Sequence, residues 1–430
     1  MRIIRSQWLW VVSILLVLGL AACGGGKSAS SPTNSAPNGS TPLSIIMDAG
    51  PPSLVAQNQS AANMIFATIT ICTHGSTTAC QTIDHIQVDT GSVGLRILSS
   101  ALNGTAAPAA VLDSSSNPMA ECLVFGDGHI WGSVALVDVN LGGSTLSNVP
   151  VHIIGSSTVG ADPAACSTGN GPAEQTLAAF GANGILGIGN YIQDCGIYCA
   201  LTTSNGQYFS CPSGTNCVSS TASLTSQVIN PASLVPVDHN GVTLSFPAVT
   251  APGAASVTGT LYFGVNTETT AGAQNNNAIG AAKILQFAPA TATNAGYLTA
   301  TYNGSTYSQA FIDSGSNAYF LPDSSIPTCT DSTSFYCPTN SVTKSFSLAG
   351  YNGTVASGSL VIDNADTLFS SQVANSYLNV FPTLGGPSSS AANGSSNWFD
   401  LGVPFFLGRK VYIIFENATV GGVQGPAVAF

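Results

Sequence analysis

Two short strings of the chain are alike, and they lie in opposite halves of its 430 residues: Ile86-Gln87-Val88-Asp89-Thr90-Gly91-Ser92-Val93-Gly94-Leu95 and Ala310-Phe311-Ile312-Asp313-Ser314-Gly315-Ser316-Asn317-Ala318-Tyr319. Each is a β-prone run that delivers an aspartate into a turn of Ser or Thr, Gly and Ser. One such string says little, because Asp and Ser open turns in any chain rich in Ser, Thr and Gly. Two copies in half-chains of similar length are far more restrictive. Each half has to build the same strand and turn, which predicts two similar units, each contributing one Asp. A second likeness follows each copy. After the first comes Asn183-Gly184-Ile185-Leu186-Gly187-Ile188-Gly189, preceded by a short helix predicted over Pro172 to Phe180, with Pro near its start and Gly181 at its end. After the second comes Trp398-Phe399-Asp400-Leu401-Gly402-Val403-Pro404-Phe405-Phe406-Leu407-Gly408-Arg409 and then a strand, Val411 to Phe415. By itself each element reads as a core strand with glycine where backbones approach closely.

Composition sets the class of secondary structure. With 44% hydrophobic and 6% charged residues and 46 glycines, the chain is too apolar and too weakly charged to stay disordered. Lys, Glu, Arg and Gln are scarce while Ser, Thr, Asn, Gly and Val are plentiful, which argues against a helical bundle and predicts a mostly β fold. The length accommodates one large or two medium domains. The formal charge of −11 becomes more negative if Arg2 and Arg5 are removed with a leader, which argues against nucleic acid as a partner. The five histidines (74, 85, 129, 152 and 239) show no metal spacing, and no Gly-x-Ser-x-Gly elbow, Walker loop or His-Glu-x-x-His is present. No metal and no cofactor is therefore expected.

Arg2 and Arg5 precede an apolar run from Trp8 to Ala22, which has the form of a secretory signal and is short for a membrane span. It ends Leu20-Ala21-Ala22-Cys23-Gly24, which resembles the lipobox of bacterial lipoproteins. That resemblance implies a signal peptide over 1–22, acylation of Cys23 and, because Gly24 is not Asp, sorting to the outer membrane. Residues 23–42 then form the lipidated Cys and a flexible Gly/Ser/Pro tether with no hydrophobic period. Setting Cys23 aside leaves ten of the 11 cysteines, an even number in an exported chain, which implies disulfides. Close spacing suggests Cys72 with Cys80, Cys329 with Cys337, and local pairs among Cys195, Cys199, Cys211 and Cys217, leaving Cys122 for Cys166; spacing alone does not fix the connectivity. The competing zinc site at Cys195, Cys199, Cys211 and Cys217 lacks a nearby histidine.

Asp-Thr-Gly-Ser, Gly-Ile-Leu-Gly, Asp-Ser-Gly-Ser and Leu-Gly-Val-Pro-Phe-Phe-Leu-Gly-Arg before a terminal strand are similar, in order and spacing, to the pepsin-like aspartic peptidases. Val257 to Gly264 looks like the strand opening that family's second lobe. The resemblance runs from about Ile83 to Phe430 and implies a bilobal double β-barrel with a central cleft and few short helices. Its lobes would be 43–235, with the first Asp loop and a flap, and 236–430, with the second. It makes Asp89 and Asp313 the catalytic pair. Two carboxyls sharing one proton serve as base and acid, because like charges in contact cannot both ionise. Gly91 and Gly315 allow close approach, Thr90 and Ser314 hydrogen-bond across the pair, and Ser92 and Ser316 orient the carboxylates. The acidic net charge favours a protonated carboxyl and activity in acid. The substrate would be an extended peptide, and the protein a monomer.

The chain also departs from that pattern. The flap matches Cys122 to Gly132, where Phe125 replaces the family's Tyr, followed by Gly126, Asp127 and Gly128. Phe125 packs on a substrate but has no hydroxyl to donate. Arg96 stands where the family usually has the Trp that partners that Tyr. His129 and Trp131 are candidates to substitute, although Trp131 reads equally well as a core aromatic. Inserts from Asp194 to Ser219 and Asp323 to Ser341 are expected as disulfide-pinned surface loops. A non-catalytic protein using the same fold to bind a peptide, glycan or envelope partner is the rival reading, favoured by the altered flap and opposed by both Asp loops. A structural envelope protein assembling through edge strands is a third.

Overall fold

A computed structural model describes residues 39–268, 275–330, 334–373, 376–388 and 398–430. The leader, Cys23 and the tether up to residue 38 lie outside the described residues. The fold is mostly β, and the five described α-helices are only four to six residues long. Strands form where β-branched and aromatic residues cluster, as in Ile65–Cys72 (IFATITIC) and Ser305–Ile312 (STYSQAFI). The second of these buries Ala310 and Ile312 on one face, the period of two that a half-buried strand requires.

The duplicated strings build duplicated structure. Strand Cys80–Asp89 runs into the first Asp and pairs in parallel with Gly184–Ile188, Ile86 opposite Gly184 and Asp89 opposite Gly187. Gly184–Ile188 pairs on its other side, antiparallel, with Val93–Leu98, the strand that leaves the Asp turn. In the second half, Ser305–Ile312 pairs in parallel with Trp398–Leu401, which pairs antiparallel with Tyr319–Leu321. Each apolar-apolar-Gly element is thus the middle strand between the entry and exit strands of an Asp loop. Its glycine is required by contact with that loop: a Cβ on Gly187 would lie 2.7 Å from Ser92 Oγ, and one on Gly402 would lie 2.3 Å from the Ala318 carbonyl oxygen.

Strands from both halves share a sixteen-stranded sheet. Leu43–Met47 lies within it between Ile65–Cys72 and Val257–Phe263, and the sheet continues through Gly241–Ser245, Lys410–Ile414 and Ala427–Ala429. A seven-stranded sheet holds the second Asp loop. A single apolar cluster packs against both sheets and includes Ile45, Val88, Leu186, Phe263, Ile312, Phe399 and Leu401. Each fully buried side chain of this kind contributes about 1.5–3 kcal/mol.

Five disulfides join Cys72 to Cys80, Cys122 to Cys166, Cys195 to Cys199, Cys211 to Cys217 and Cys329 to Cys337. Cys72–Cys80, Cys329–Cys337 and Cys122–Cys166 are the pairings that spacing suggests, and the four central cysteines, whose local pairing spacing leaves open, join as neighbours; together they suggest an oxidising, exported setting. No described helix is long and apolar enough to cross a membrane.

Two local expectations need correction. The helix before the first middle strand covers only Leu177–Phe180, capped by Thr176 and ended by Gly181 in the left-handed region. Residues 172–174 are instead drawn into strand-like pairing: the His129 amide donates to Pro172 O at 2.9 Å and the Glu174 amide to His129 O at 2.8 Å. The insert from Asp194 to Ser219 is more than a surface loop. Its strand Tyr208–Ser210 joins the main sheet beside Met119–Val124, and the side chain of its first residue, Asp194, is buried.

Phe399 is fully buried between the rings of Tyr302, Tyr307 and Phe346. Phe399→Ala leaves a ring-sized cavity behind the second Asp loop and is expected to cost about 3–5 kcal/mol, measured as the change in urea unfolding free energy.

Candidate active site

The two Asp loops face one another and are joined by a reciprocal exchange of hydrogen bonds. The Thr90 amide donates to Ser314 Oγ at 3.0 Å, and the Ser314 amide donates to Thr90 Oγ1 at 2.9 Å. Each hydroxyl donates onward to the carbonyl preceding the opposite aspartate: Thr90 Oγ1 to Ile312 O at 3.2 Å, and Ser314 Oγ to Val88 O at 2.9 Å. A hydroxyl that donates once and accepts once is the only small neutral group able to close both halves of this exchange. All four bonds are buried, where leaving any one unmade costs about 1–3 kcal/mol.

The exchange brings Asp89 and Asp313 together, both buried. A Cβ built on Gly91 would lie 2.6 Å from Asp313 Oδ1, and one on Gly315 would lie 2.5 Å from Asp89 Oδ1 and 3.1 Å from Asp313 Oδ1. Those two oxygens are therefore no further apart than the sum of the last two distances, and neither glycine position has room for a side chain. Each carboxyl accepts from its own turn: Gly91 N to Asp89 Oδ1 at 2.8 Å and Gly315 N to Asp313 Oδ1 at 2.7 Å. The two serines expected to orient the pair differ. Ser316 Oγ donates to Asp313 Oδ2 at 3.2 Å, whereas Ser92 Oγ is buried without a partner among the described residues.

Burial raises the Asp313 carboxyl well above the usual carboxylate range. The charges of Asp89 and Asp400 and a hydrogen bond with Asp89 push it the same way, against the Gly315 amide. The site thus holds a carboxyl whose acid form is favoured beside a second carboxyl, and Asp400, from the second middle strand, stands close enough to act on Asp313 and to feel the Asp89 charge. Sequence reasoning places Asp400 within an apolar core strand. The available signal was its charge, the only one between Trp398 and Phe406.

The predicted flap is a hairpin of Met119–Val124 and His129–Leu141, with Val124 opposite His129 and the Phe125 amide donating to Gly128 O at 2.8 Å. Phe125 is buried in a cluster with Phe66, Leu98, Phe180 and Ile185; Asp127 is exposed at the tip and Gly126 half-buried. Gly128 packs against residues 172–174, where a Cβ would lie 2.5 Å from Pro172 O. His129 Nε2 lies 2.8 Å from Asp162 Oδ2. Trp131 belongs to the core: its Nε1 donates to Gly160 O at 3.0 Å, and its ring meets Phe209 edge-on beside the Cys122–Cys166 disulfide. An indole with its single donor occupied and its faces covered is not available to a substrate.

Arg96 is fully buried and carries the other end of the hairpin. Its Nη2 donates to Glu121 Oε1 at 2.7 Å and to Asp194 Oδ2 at 2.9 Å, and Nη1 donates to Val93 O. Glu121 Oε2 lies 2.9 Å from His152 Nδ1, and Tyr208 Oη donates to Asp194 Oδ1 at 2.7 Å. Burial opposes charge on Glu121, but Arg96 and His152 hold its carboxyl well below the usual range. Burial and the Glu121 charge push Asp194 well above it. One guanidinium and one ionised carboxylate therefore tie the strand leaving the first Asp loop to the hairpin strand and to the disulfide-pinned insert.

A family model described as "Protein of unknown function (DUF3443)" matches residues 44–430. No curated protein matches the sequence. Among solved structures, the chain is similar to the aspartic proteinase from Irpex lacteus at 16% identity, covering 91% of this chain and 96% of that one, with a TM-score of 0.47.

The reciprocal exchange needs a hydroxyl at position 90, not a threonine. Thr90→Val strands the Ser314 amide and the Ile312 carbonyl and is expected to destabilise by about 1–3 kcal/mol. Thr90→Ser reproduces the residue of the second loop and stays close to wild type; urea unfolding of the two variants side by side measures the difference.

Proposed function

The chain belongs to the family described as "Protein of unknown function (DUF3443)", and from its paired carboxyls we propose that this protein is an exported aspartic endopeptidase. The observation that carries the reading is the Thr90–Ser314 exchange, which holds Asp89 and Asp313 together in a buried setting where Asp313 keeps its proton. A pure binding protein has no use for two such carboxyls in contact.

The chemistry follows from that proton. Asp89 takes a proton from a water molecule as the water oxygen bonds to the peptide carbonyl carbon, while Asp313 gives its proton to the carbonyl oxygen. The resulting tetrahedral diol breaks its C–N bond as Asp89 returns its proton to the leaving nitrogen and Asp313 recovers one from a hydroxyl. Every proton is accounted for, with neither a metal nor a covalent intermediate. The substrate is an extended peptide lying across the paired loops. Turnover needs Asp313 protonated, so it persists up to that carboxyl's raised pKa and fades as the pH rises through it.

The protein is tethered in the bacterial envelope, with acylated Cys23 at the outer membrane, two β lobes over 43–235 and 236–430, and a monomeric folded part. The lipobox string and the five disulfides support that setting. A second reading, a non-catalytic binder of peptide, glycan or envelope protein, is favoured by one observation: Phe125 is buried in an apolar cluster and the hairpin tip is bonded to residues 172–174.

Lipid-free protein is expected to cleave casein or a peptide library between about pH 3 and 6, with inhibition by pepstatin and a loss of about 10²–10⁴-fold in Asp89→Asn or Asp313→Asn. Absence of turnover in folded protein across that range would establish the binder instead. For the anchor, labelled palmitate is expected in the full chain expressed in a bacterial host and absent from Cys23→Ser.

A further inference from the structure

The middle strand of the second Asp loop carries a carboxyl where the first carries an apolar side chain. Ile185 pairs with the residue two before Asp89 (Gln87) and with the residue seven after it (Arg96). Asp400 pairs with the residue two before Asp313 (Phe311) and the residue seven after it (Phe320). The two positions are equivalent in register. Side chains two apart on a strand share a face, and neighbours in a parallel pair point the same way, so Asp400 projects on the face that carries Asp313.

Asp400 is fully buried, and neither carboxyl oxygen has a hydrogen-bond partner among the described residues. The Ser316 hydroxyl beside it favours its charged form in part, while its O–H is directed to Asp313 Oδ2 at 3.2 Å. Of the elements packed around it, the entry strand offers Phe311 and then Asp313, and the exit strand offers Phe320 and Tyr319. The opposite loop offers Asp89, and Gln87 donates to Gly315 O at 3.3 Å. Arg409, the nearest cation in sequence, sits over the Phe405 ring at 4.1 Å and acts on Tyr319. Among the described residues, the charges facing Asp400 are thus the two carboxyls of the pair.

We propose that Asp400 is a third carboxyl of this centre, a positioning residue whose buried and unpartnered side chain keeps the acid form of Asp313 populated toward neutral pH. This rests on the proteolytic reading above. The electrostatics agree in direction: burial pushes Asp400 up to about 8, Ser316 opposes that, and the Asp89 charge adds to it. The Asp400 charge in turn is among the causes that raise Asp313. Each proton lost from Asp313 or Asp400 adds a like charge to a buried cluster, so these two groups titrate together. A bare pair surrenders its last proton at lower pH than this trio does.

The test is Asp400→Asn, with Asp400→Ile, the residue of the equivalent position, as a second variant should the amide fold poorly. In wild type against either variant, the alkaline limb of kcat/KM for a library peptide is expected to move about one pH unit toward acid, with the acid limb in place. An unmoved alkaline limb in an active variant would overturn the role of Asp400 and leave the peptidase standing. If wild type cleaves nothing, the peptidase fails, and thermal unfolding then decides the coupling by itself. An acid whose folded pKa is raised costs stability once the pH exceeds its unfolded value of about 3.9. Removing Asp400 should therefore raise the Tm at pH 8 and not at pH 3, and by less in an Asp313→Asn background than with Asp313 present. Equal gains in both backgrounds would sink the proposal.

Discussion

The hydroxyls of Thr90 and Ser314 hold this molecule in the arrangement on which everything else depends. Each closes a two-bond bridge to the opposite loop, so neither Asp loop is fully hydrogen-bonded without the other. The pairing has a consequence for charge. Loops joined backbone to hydroxyl bring their aspartates to within reach of the same glycine positions, with both carboxyls buried. Proximity and burial are both imposed by the same four bonds, and together they favour the acid form of Asp313.

Around that pair the two halves solve the same packing problem with different chemistry. The first middle strand presents Ile185 to an apolar cluster with Phe125 and Phe180, while the second presents Asp400 to the carboxyl pair. The exit strand of the first loop carries Arg96, which binds two acids, while the second carries Phe320 in an apolar cluster. The Arg96 network is no cheap source of stability, since a buried ion pair roughly offsets its own desolvation. What it supplies is register: the loop strand, the hairpin strand and the insert meet at one guanidinium, and none can shift without stranding a charge. The Cys122–Cys166 disulfide and the pairing of His129 with residues 172–174 fix the far side of the same hairpin.

Much of this was legible in the residues. Two Asp-(Ser/Thr)-Gly-Ser strings after β-prone runs announced two equivalent turns, and the apolar-apolar-Gly strings announced the strands between their arms, because only glycine fits against a loop carbonyl at 2.3 Å. Close cysteine spacing suggested short disulfides, while the partners among Cys195, Cys199, Cys211 and Cys217 were left to the fold. Other features were hidden. Pro172 reads as the start of the helix that ends at Gly181, yet its carbonyl is taken by the backbone of His129, a partner more than forty residues away in sequence, and the helix is left with a single turn. Trp131 gave no sign of choosing core over cleft, because that choice lies with Phe209 and Gly160.

Local pattern and composition alone determined that this chain would be mostly β, cross-linked and built twice around an Asp turn, because β propensity, turn chemistry and cysteine spacing act over a few residues. Only the tertiary structure decided which charges meet. Asp400 beside Asp313, Arg96 between Glu121 and Asp194, and Ser92 left without a partner among the described residues all follow from strands brought together across long stretches of chain. The energy of a charge depends on its neighbours and on the water it loses, and neither is written at its own position in the sequence.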